Sequence, residues 1–538
     1  MSDVAENSGM KRLTRLQSLF DQRPWTIMLL LLPLLWVLPA VPVDETRYLS
    51  IAWEMRQTGS WITLHVDGVP YFDKPPLLFW LVNLAWSVFG VSLWAARMVS
   101  VLAGAGCVAL LAAIGRRLEG GVDDTAAWLL PGFIYFLLFS SVVMFDITLS
   151  FCVLLAYLAL LQWVQGGGWR ALLLLFVASS LGMLAKGPVM LLHLAGPILL
   201  APWWVGSSVR LSWRRLGGPL LAALLGGLPV LLWALAAVHG LGEADARDLL
   251  VKQTAGRMVH SFAHRRPAWW YLIWLLPILL PWPLVLRWRR LAVWRATWRT
   301  SSMARFGLCA SLPAFLGFCL VSGKQLHYLL PCMPGVALLL AALLRQAPDL
   351  LASRRLGWLA AICAGLLVWA LLHPGDMRPW PITAAARYGL LGLAALLLVS
   401  AVMVLWKAGR VGHARHVTVA TVLLSMAMLP VMRTQVLGAS DLRGLAQRVA
   451  MLQARKVPLA CEATEPGLVN FLGRLPQPLP VTDDPAAWAK AHPQGYLLMW
   501  ASHGRAPADG LSTTAVGNGW AALRSASAVS SSHHAAGE

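Results

Sequence analysis

Residues 25–50 read WTIMLLLLPLLWVLPAVPVDETRYLS. An apolar run from Trp25 to Val43 is long enough to cross the hydrocarbon core of a bilayer, and Asp44, Glu45 and Arg47 follow it at once. Lys11, Arg12, Arg15 and Arg23 precede the run. No small-residue cleavage site follows, so the segment reads as an uncleaved anchor. Charges crowded against a membrane exit need water, a partner or a function.

The rest of the chain fits that start. Of its 538 residues 58% are hydrophobic and 13% charged, a balance that excludes an ordinary soluble domain. Further apolar runs fall near 94–115, 126–143, 147–164, 171–186, 188–205, 218–238, 268–286, 306–322, 328–344, 356–372, 388–406 and 417–434. With the first they make about thirteen spans. Placing the N-terminus inside puts Arg116, Arg117, Arg170, Arg210, Arg214 and Arg215 on the cytoplasmic side. The arginines of 287–305, then Arg345, Arg354, Arg355, Lys407, Arg410 and Arg415, fall on that side too. The formal charge of +20 is therefore topological. Basic residues spread over many short loops make no nucleic-acid surface. Six of the seven cysteines lie in spans and only Cys461 outside, which leaves no disulfide framework or CxxC metal site.

The fold class expected is an all-α polytopic membrane protein with a small C-terminal α/β domain. Residues 1–24 form a cytoplasmic segment. Residues 25–434 form the transmembrane domain, with outer loops at 44–75 and 239–267, and residues 435–538 form a periplasmic domain. In that tail, SDLRGLAQRVAMLQA (440–454) and PGLVNFLGRL (466–475) read as helices. VPLACEA (457–463) and GYLLMWASH (495–503) read as strands. The last residues, SAVSSSHHAAGE, have the composition of a disordered end. There is no internal repeat and no matched pair of broken helices of the transporter kind.

ETRYLSIAWEMRQTG (45–59) predicts a helix stopped by Gly59, with Asp44 capping or beginning it and Asp44, Arg47 and Tyr48 on one face. Its mixture of apolar and charged residues suits a helix lying along the membrane surface. Three more charged residues sit between apolar spans on the same outer side: Asp146 in SSVVMFDITLS, Lys186 in LGMLAKGPVMLL and Lys324 in LVSGKQLHYLLP. A charge at depth costs on the order of 3 kcal/mol, so each must snorkel, pair or face a wet cavity. Asp44, Glu45, Asp73 and Asp146 with Arg47, Lys74, Lys186, Arg257, Arg265, Arg266 and Lys324 compose a polar outer chamber. That mixture suits a reaction in which phosphate departs and an acceptor must be positioned or deprotonated.

DETRY (44–48), GVPYFDKPPLLFWL (68–81), Asp146 opening a span, LAKGP (184–188), RMVHSFAHRRPAWWY (257–271), LPWP (280–283) and SGKQLHYLLPCMPG (322–335) occur in an order that resembles the aminoarabinose transferase (ArnT) family. That family is a branch of the protein O-mannosyltransferase-like glycosyltransferases with the GT-C fold. The resemblance covers nearly the whole chain. It implies transfer of a sugar from an undecaprenyl phosphate carrier to lipid A or another envelope acceptor at the periplasmic face of the inner membrane. A protein acceptor and a lipid or solute transporter are the alternatives. It implies catalytic roles for Asp44 and Asp146, and carrier-phosphate contacts from Arg47 and Lys74. Lys186 and Arg257 add positive charge, and Glu45, Tyr48, Lys324 and Tyr328 line the substrate. No nucleotide cofactor is implied. In two places the chain departs from the family pattern. YFDKP has Asp73 where glutamate is common, so a divalent ion such as zinc would rest on Asp73 with His264 or His260; a salt bridge of Asp73 with His264 and neighbouring arginines is the other reading. KQLHY replaces the commoner Lys-x-Pro-Thr-Tyr.

Overall fold

The computed structural model describes residues 23–121, 124–206, 213–239, 266–372, 384–409, 413–433, 437–463, 466–501, 510–516 and 519–529. Among these, eight helices are long and apolar enough to cross a membrane. They are Leu93–Glu119, Phe145–Val164, Gly168–Lys186, Gly217–Val238, Ser302–Leu320, Leu326–Gln346, Leu391–Ala408 and Ala414–Val431. Each coincides with an expected span. The other five expected spans are helical but short or interrupted. The first is divided into Pro24–Leu31 and Leu34–Val37 around Pro33. The span at 126–143 is split around Pro131 and Gly132, and that at 268–286 just before Pro281. Proline removes a ladder donor and crowds the preceding turn, which ends a helix there.

Close packing depends on small residues where helices cross. A Cβ on Gly307 would lie 2.6 Å from the carbonyl oxygen of Gly335, and one on Gly335 would lie 2.8 Å from that of Gly307. The helices Ser302–Leu320 and Leu326–Gln346 therefore meet backbone to backbone, as membrane helices do at paired glycines.

The segment after the first span forms the expected helix. The helix runs Asp44–Thr58, and Gly59 ends it in the left-handed region (φ 71°), as its sequence predicts. Asp44 begins it rather than capping it: the N-cap is Val43, and no side chain caps the first amides. Tyr48, Leu49, Ile51, Ala52 and Met55 are buried in a cluster with Phe79, Val82, Trp86 and Phe145. A short helix, Leu77–Phe89, supplies much of this cluster, and Asn83 ties it down by donating to the Ala52 carbonyl at 2.9 Å. Its thirteen residues reach only about 20 Å, too short to span.

Between these helices β1 (His65–Val66) and β2 (Val69–Pro70) form a hairpin. Asp67 and Gly68 both have positive φ, at 54° and 76°, the conformation of the two-residue turn that matches strand twist. The C-terminal sheet has five strands: β3 (Leu459–Glu462), β4 (Val481–Thr482), β5 (Tyr496–Ala501), β6 (Gly510–Val516) and β7 (Gly519–Ser525), in the order β4-β3-β5-β7-β6. β3 pairs parallel with β4 and β5, while β7 is antiparallel to β5 and β6. Helix Arg443–Ala454 contributes Leu445, Ala446 and Val449 to the domain core. The expected strands and first helix are present. The second helix shrinks to Asn470–Gly473 because the residues before it are drawn into contacts with the hairpin.

Those contacts join the C-terminal domain to the Asp44–Thr58 helix. Asp67 accepts from the Gly467 amide at 2.7 Å and from the Asn470 side chain at 2.5 Å. Ser50 donates to the Gly467 carbonyl at 2.8 Å, and Trp53 and Gln57 both donate to the Leu475 carbonyl. Phe471 stacks on Trp86 at 5.1 Å.

Candidate active site

Two antiparallel helices connected by a tight turn build the floor of the site. Phe145–Val164 begins with Asp146 in its first turn, and Gly168–Lys186 ends with Lys186. A carboxylate at a helix N-terminus and an ammonium at a C-terminus are each favoured by the backbone dipoles. Because the helices run in opposite directions, the two charges meet at the same end: Lys186 Nζ donates to Asp146 Oδ1. Lys186 Nζ also lies 4.1 Å from the ring centre of Tyr328, a cation–π contact. His327 approaches the other carboxylate oxygen, with Nε2 3.7 Å from Oδ2. All three side chains are at most 12% exposed.

Asp44 and Arg47 come in over this floor from the helix at the membrane exit. The charges acting on the buried Tyr48 phenol identify its neighbours. Burial holds its pKa well above the ordinary value; Asp44, Tyr71 and Asp146 push it further up, and Arg47 opposes them. His327 in turn lies within electrostatic reach of Asp146, Lys186, Asp44 and Lys74. Two aspartates from segments a hundred residues apart therefore bear on the same two side chains. The ring of Tyr48 packs edge-on against Phe145, one residue before Asp146, with centroids 4.8 Å apart.

Arg97 holds the arrangement in place, and it was not legible as a functional residue in the sequence. Its guanidinium donates to Glu45 Oε1 (2.8 Å) and Oε2 (2.7 Å), and to the carbonyls of Leu38 (2.8 Å), Pro39 (2.7 Å) and Leu35 (3.4 Å). Glu45 accepts in addition from the amides of Val41 (2.7 Å) and Val143 (2.9 Å). Arg97 is 0% and Glu45 1% exposed. A buried ion pair is stable only when its remaining donors and acceptors are met, and here they are.

Glu45, expected to line the substrate, is thus withdrawn into a structural clamp. Lys324 is also corrected. It donates to the carbonyls of Val321 and Arg266 and is buried at 3% exposure, so two of its three donors secure the turn before Leu326. Asp73 and Lys74 follow the hairpin and are half-buried. Arg257, Arg265, His260 and His264 lie outside the described residues. Among the described residues no three His, Cys, Asp or Glu side chains gather as a metal site. His327 was missed as a site residue because a lone histidine beside a span carries no spacing signal. Tyr135 and Tyr271, whose phenols also sense Asp146, carry none either.

Residues 73–233 match the family model described as dolichyl-phosphate-mannose-protein mannosyltransferase. An undecaprenyl phosphate-alpha-4-amino-4-deoxy-L-arabinose arabinosyl transferase of Pseudomonas paraeruginosa is 32% identical over 381 residues, covering 66% of this chain and 67% of the relative. This chain belongs to that arabinosyl transferase family. A family member of Sodalis glossinidius is 32% identical over 368 residues, 63% of each protein. For it and two relatives from Pseudomonas, the alignments span 63%, 62% and 60% of the relatives' own length. The fold of the family is seen in ArnT from Cupriavidus metallidurans. This chain matches its undecaprenyl phosphate-bound structure with TM-score 0.64 at 18% identity, over 93% of this chain and 96% of the other. The apo structure gives 0.65, over 97% and 99%. The multi-pass GT-C architecture expected from the motifs is the one observed, C-terminal α/β domain included.

Proposed function

We propose that this arabinosyl transferase family member moves a sugar of the aminoarabinose kind from undecaprenyl phosphate to lipid A. The reaction takes place in a cavity facing the periplasm, in the bacterial inner membrane. The observation that carries this reading is the convergence of Asp44, Asp146, Lys74 and Lys186 on His327, with Asp44, Asp146 and Arg47 acting also on Tyr48. A departing phosphate needs cations arranged before the reaction begins, and Lys74, Lys186 and Arg47 supply them. Asp44, unused as a helix cap, is available to orient the acceptor or to bear on positive charge at the sugar C1. A lipid A phosphate attacks without losing a proton, so Asp44 then acts through its charge. Asp146 fixes Lys186 with one oxygen and is the second essential carboxylate.

The relatives' names specify the same donor, and the matched ArnT structure is bound to undecaprenyl phosphate. The arginine-rich short loops support the orientation. In this reading residues 435–538 form a periplasmic domain. A divalent ion on Asp73 with His260 or His264 would tie the loop at 239–267 to the hairpin; activity after chelation measures that. The matching family model is described by a protein acceptor, which gives the second reading. Mass spectrometry of lipid A and of envelope proteins from cells with and without the chain separates the two. An unmodified lipid A in both strains sinks the first.

A further inference from the structure

Three segments far apart in the chain enclose a half-open hollow of about 270 Å³, and none of the site side chains described above lines it. The segments are residues 35–40 at the end of the first span, residues 92–94 where the Leu93–Glu119 helix begins, and Arg443, Phe471 and Arg474 of the C-terminal domain. One wall is held fast, because the carbonyls of Leu35, Leu38 and Pro39 all accept from Arg97. On that side the rings of Trp36 and Trp94 meet with centroids 5.6 Å apart, and Phe89 stands edge-on to Trp94 at the same distance. Trp36 is 72% exposed. Exposed tryptophans at the ends of two spans mark the level of the lipid headgroups. Met98 and Leu102 continue the face of Trp94 into the bilayer, and Leu102 is 56% exposed. An apolar track therefore leads from the hollow along a lipid-facing helix.

The opposite wall is cationic. Arg443 is 44% exposed and shares the carboxylate of Asp441 with the buried Arg433. One carboxylate divided between two guanidiniums leaves Arg443 only partly neutralised. Arg474 donates to the carbonyls of Phe471 at 2.6 Å and Val91 at 3.2 Å. Those acceptors are neutral, so its charge is undiminished, and a guanidinium has five N–H donors. Among the described residues no acid lines the hollow.

We propose that this hollow binds the headgroup of an anionic phospholipid of the surrounding leaflet, with the phosphate on Arg443 and Arg474 and the acyl chains along Trp36, Trp94 and Leu102. Guanidinium groups hold a phosphate through paired, charge-assisted hydrogen bonds, and basic pockets beside spans are the usual seat of anionic headgroups. The volume falls below that of pockets enclosing a whole drug-sized molecule, which suits a phosphoglycerol headgroup whose chains stay in the bilayer. A free anion would use the arginines and leave the tryptophan wall bare. Bound here, the lipid bridges the first span and the C-terminal domain, beside the stack of Phe471 on Trp86. The inference concerns how the domain is held on the membrane and does not depend on the transfer reaction.

The test uses the full chain in nanodiscs of phosphatidylcholine with increasing phosphatidylglycerol, read by thermal unfolding and by native mass spectrometry of retained lipid. The wild type retains phosphatidylglycerol in preference to phosphatidylcholine and melts higher as phosphatidylglycerol rises. The double variant Arg443→Gln, Arg474→Gln retains phosphatidylglycerol at least about 10-fold less well, and its melting no longer responds. Trp36→Ala serves where that variant does not fold: it melts as the wild type does in phosphatidylcholine alone and retains less phosphatidylglycerol. A wild type indifferent to phosphatidylglycerol in both measurements overturns the proposal, and so does a folded double variant with wild-type retention. A melting rise matched by soluble glycerophosphate assigns the hollow to a free anion, and preferential retention of added lipid A assigns it to that lipid; either result overturns the phospholipid.

Discussion

Arg97 and Glu45 face each other at 2.7 Å in the protein interior, and every polar atom of the pair is engaged. The pair gathers the end of the first span, the start of the Asp44–Thr58 helix and the backbone of Val143, three residues before Asp146. It therefore fixes the separation of the two aspartates without touching either.

Removing one partner strands the other charge in the interior, which costs about 3–5 kcal/mol. Arg97→Met and Glu45→Ala are each expected to lower the melting temperature in detergent strongly and to abolish transfer together with it. Wild-type melting in either variant would show that the clamp is not structural.

Asp44 behaves differently. It makes no cap, so Asp44→Asn should melt as the wild type does while transfer falls by at least about 100-fold. The check is thermal unfolding alongside a sugar-transfer assay on the same preparation. A parallel loss of both would return Asp44 to a structural role.

Asp146→Asn leaves Lys186 without its carboxylate partner. Transfer should fall as far as in Asp44→Asn, with a destabilisation of about 1–3 kcal/mol in addition, because a buried ammonium loses its compensation. Lys186→Met restores the charge balance of Asp146→Asn, so the double variant should melt nearer the wild type than Asp146→Asn does while remaining inactive.

Glu54 gives a pH signature to the junction between the hairpin and the Asp44–Thr58 helix. Burial raises its carboxyl from the usual 4.5 to about 7, and the nearby Asp67 adds to the shift. The native state thus keeps a proton that the unfolded chain has released between about pH 4.5 and 7. Stability from this group is fully present below that window and is lost as pH rises through it. Thermal melting of the wild type should fall across the window, and Glu54→Gln should flatten the curve.

The latch between the soluble domain and the site can be loosened at one residue. Gly467 has φ +76°, and a Cβ there would lie 2.7 Å from Val66 and 3.3 Å from the Cα of Arg47. Gly467→Ala should cost about 1–3 kcal/mol and, by displacing the backbone of Arg47, raise the donor KM. An unchanged KM would separate the domain from the site.

Most of the membrane architecture was legible because the bilayer imposes a length and a polarity that a sequence states openly. Eight expected spans stand as helical segments long and apolar enough to cross, and the prolines within Trp25–Val43, 126–143 and 268–286 mark where others break. The Asp146 and Lys186 pairing was also within reach, since antiparallel neighbours bring a helix start beside a helix end. Burial that depends on distant partners was not legible. The Asp44–Thr58 helix looks amphipathic in isolation, and Leu77–Phe89 and the C-terminal domain cover faces that its sequence alone leaves open. β6 and β7 went unread because Gly510–Val516 and Gly519–Ser525 are strands through pairing with each other and with β5, not through strong alternation.

The sequence by itself determined that this chain crosses a membrane repeatedly and carries a small α/β domain after its spans. Hydropathy and charge are properties of residues, and a bilayer sorts them without reference to the rest of the fold. Only the tertiary structure decided that Glu45 belongs to Arg97, that Lys324 serves its own turn, and that His327 stands beside Asp146. A side chain's role depends on which donors and charges lie within a few ångströms of it, and those neighbours come from segments that the linear chain keeps far apart.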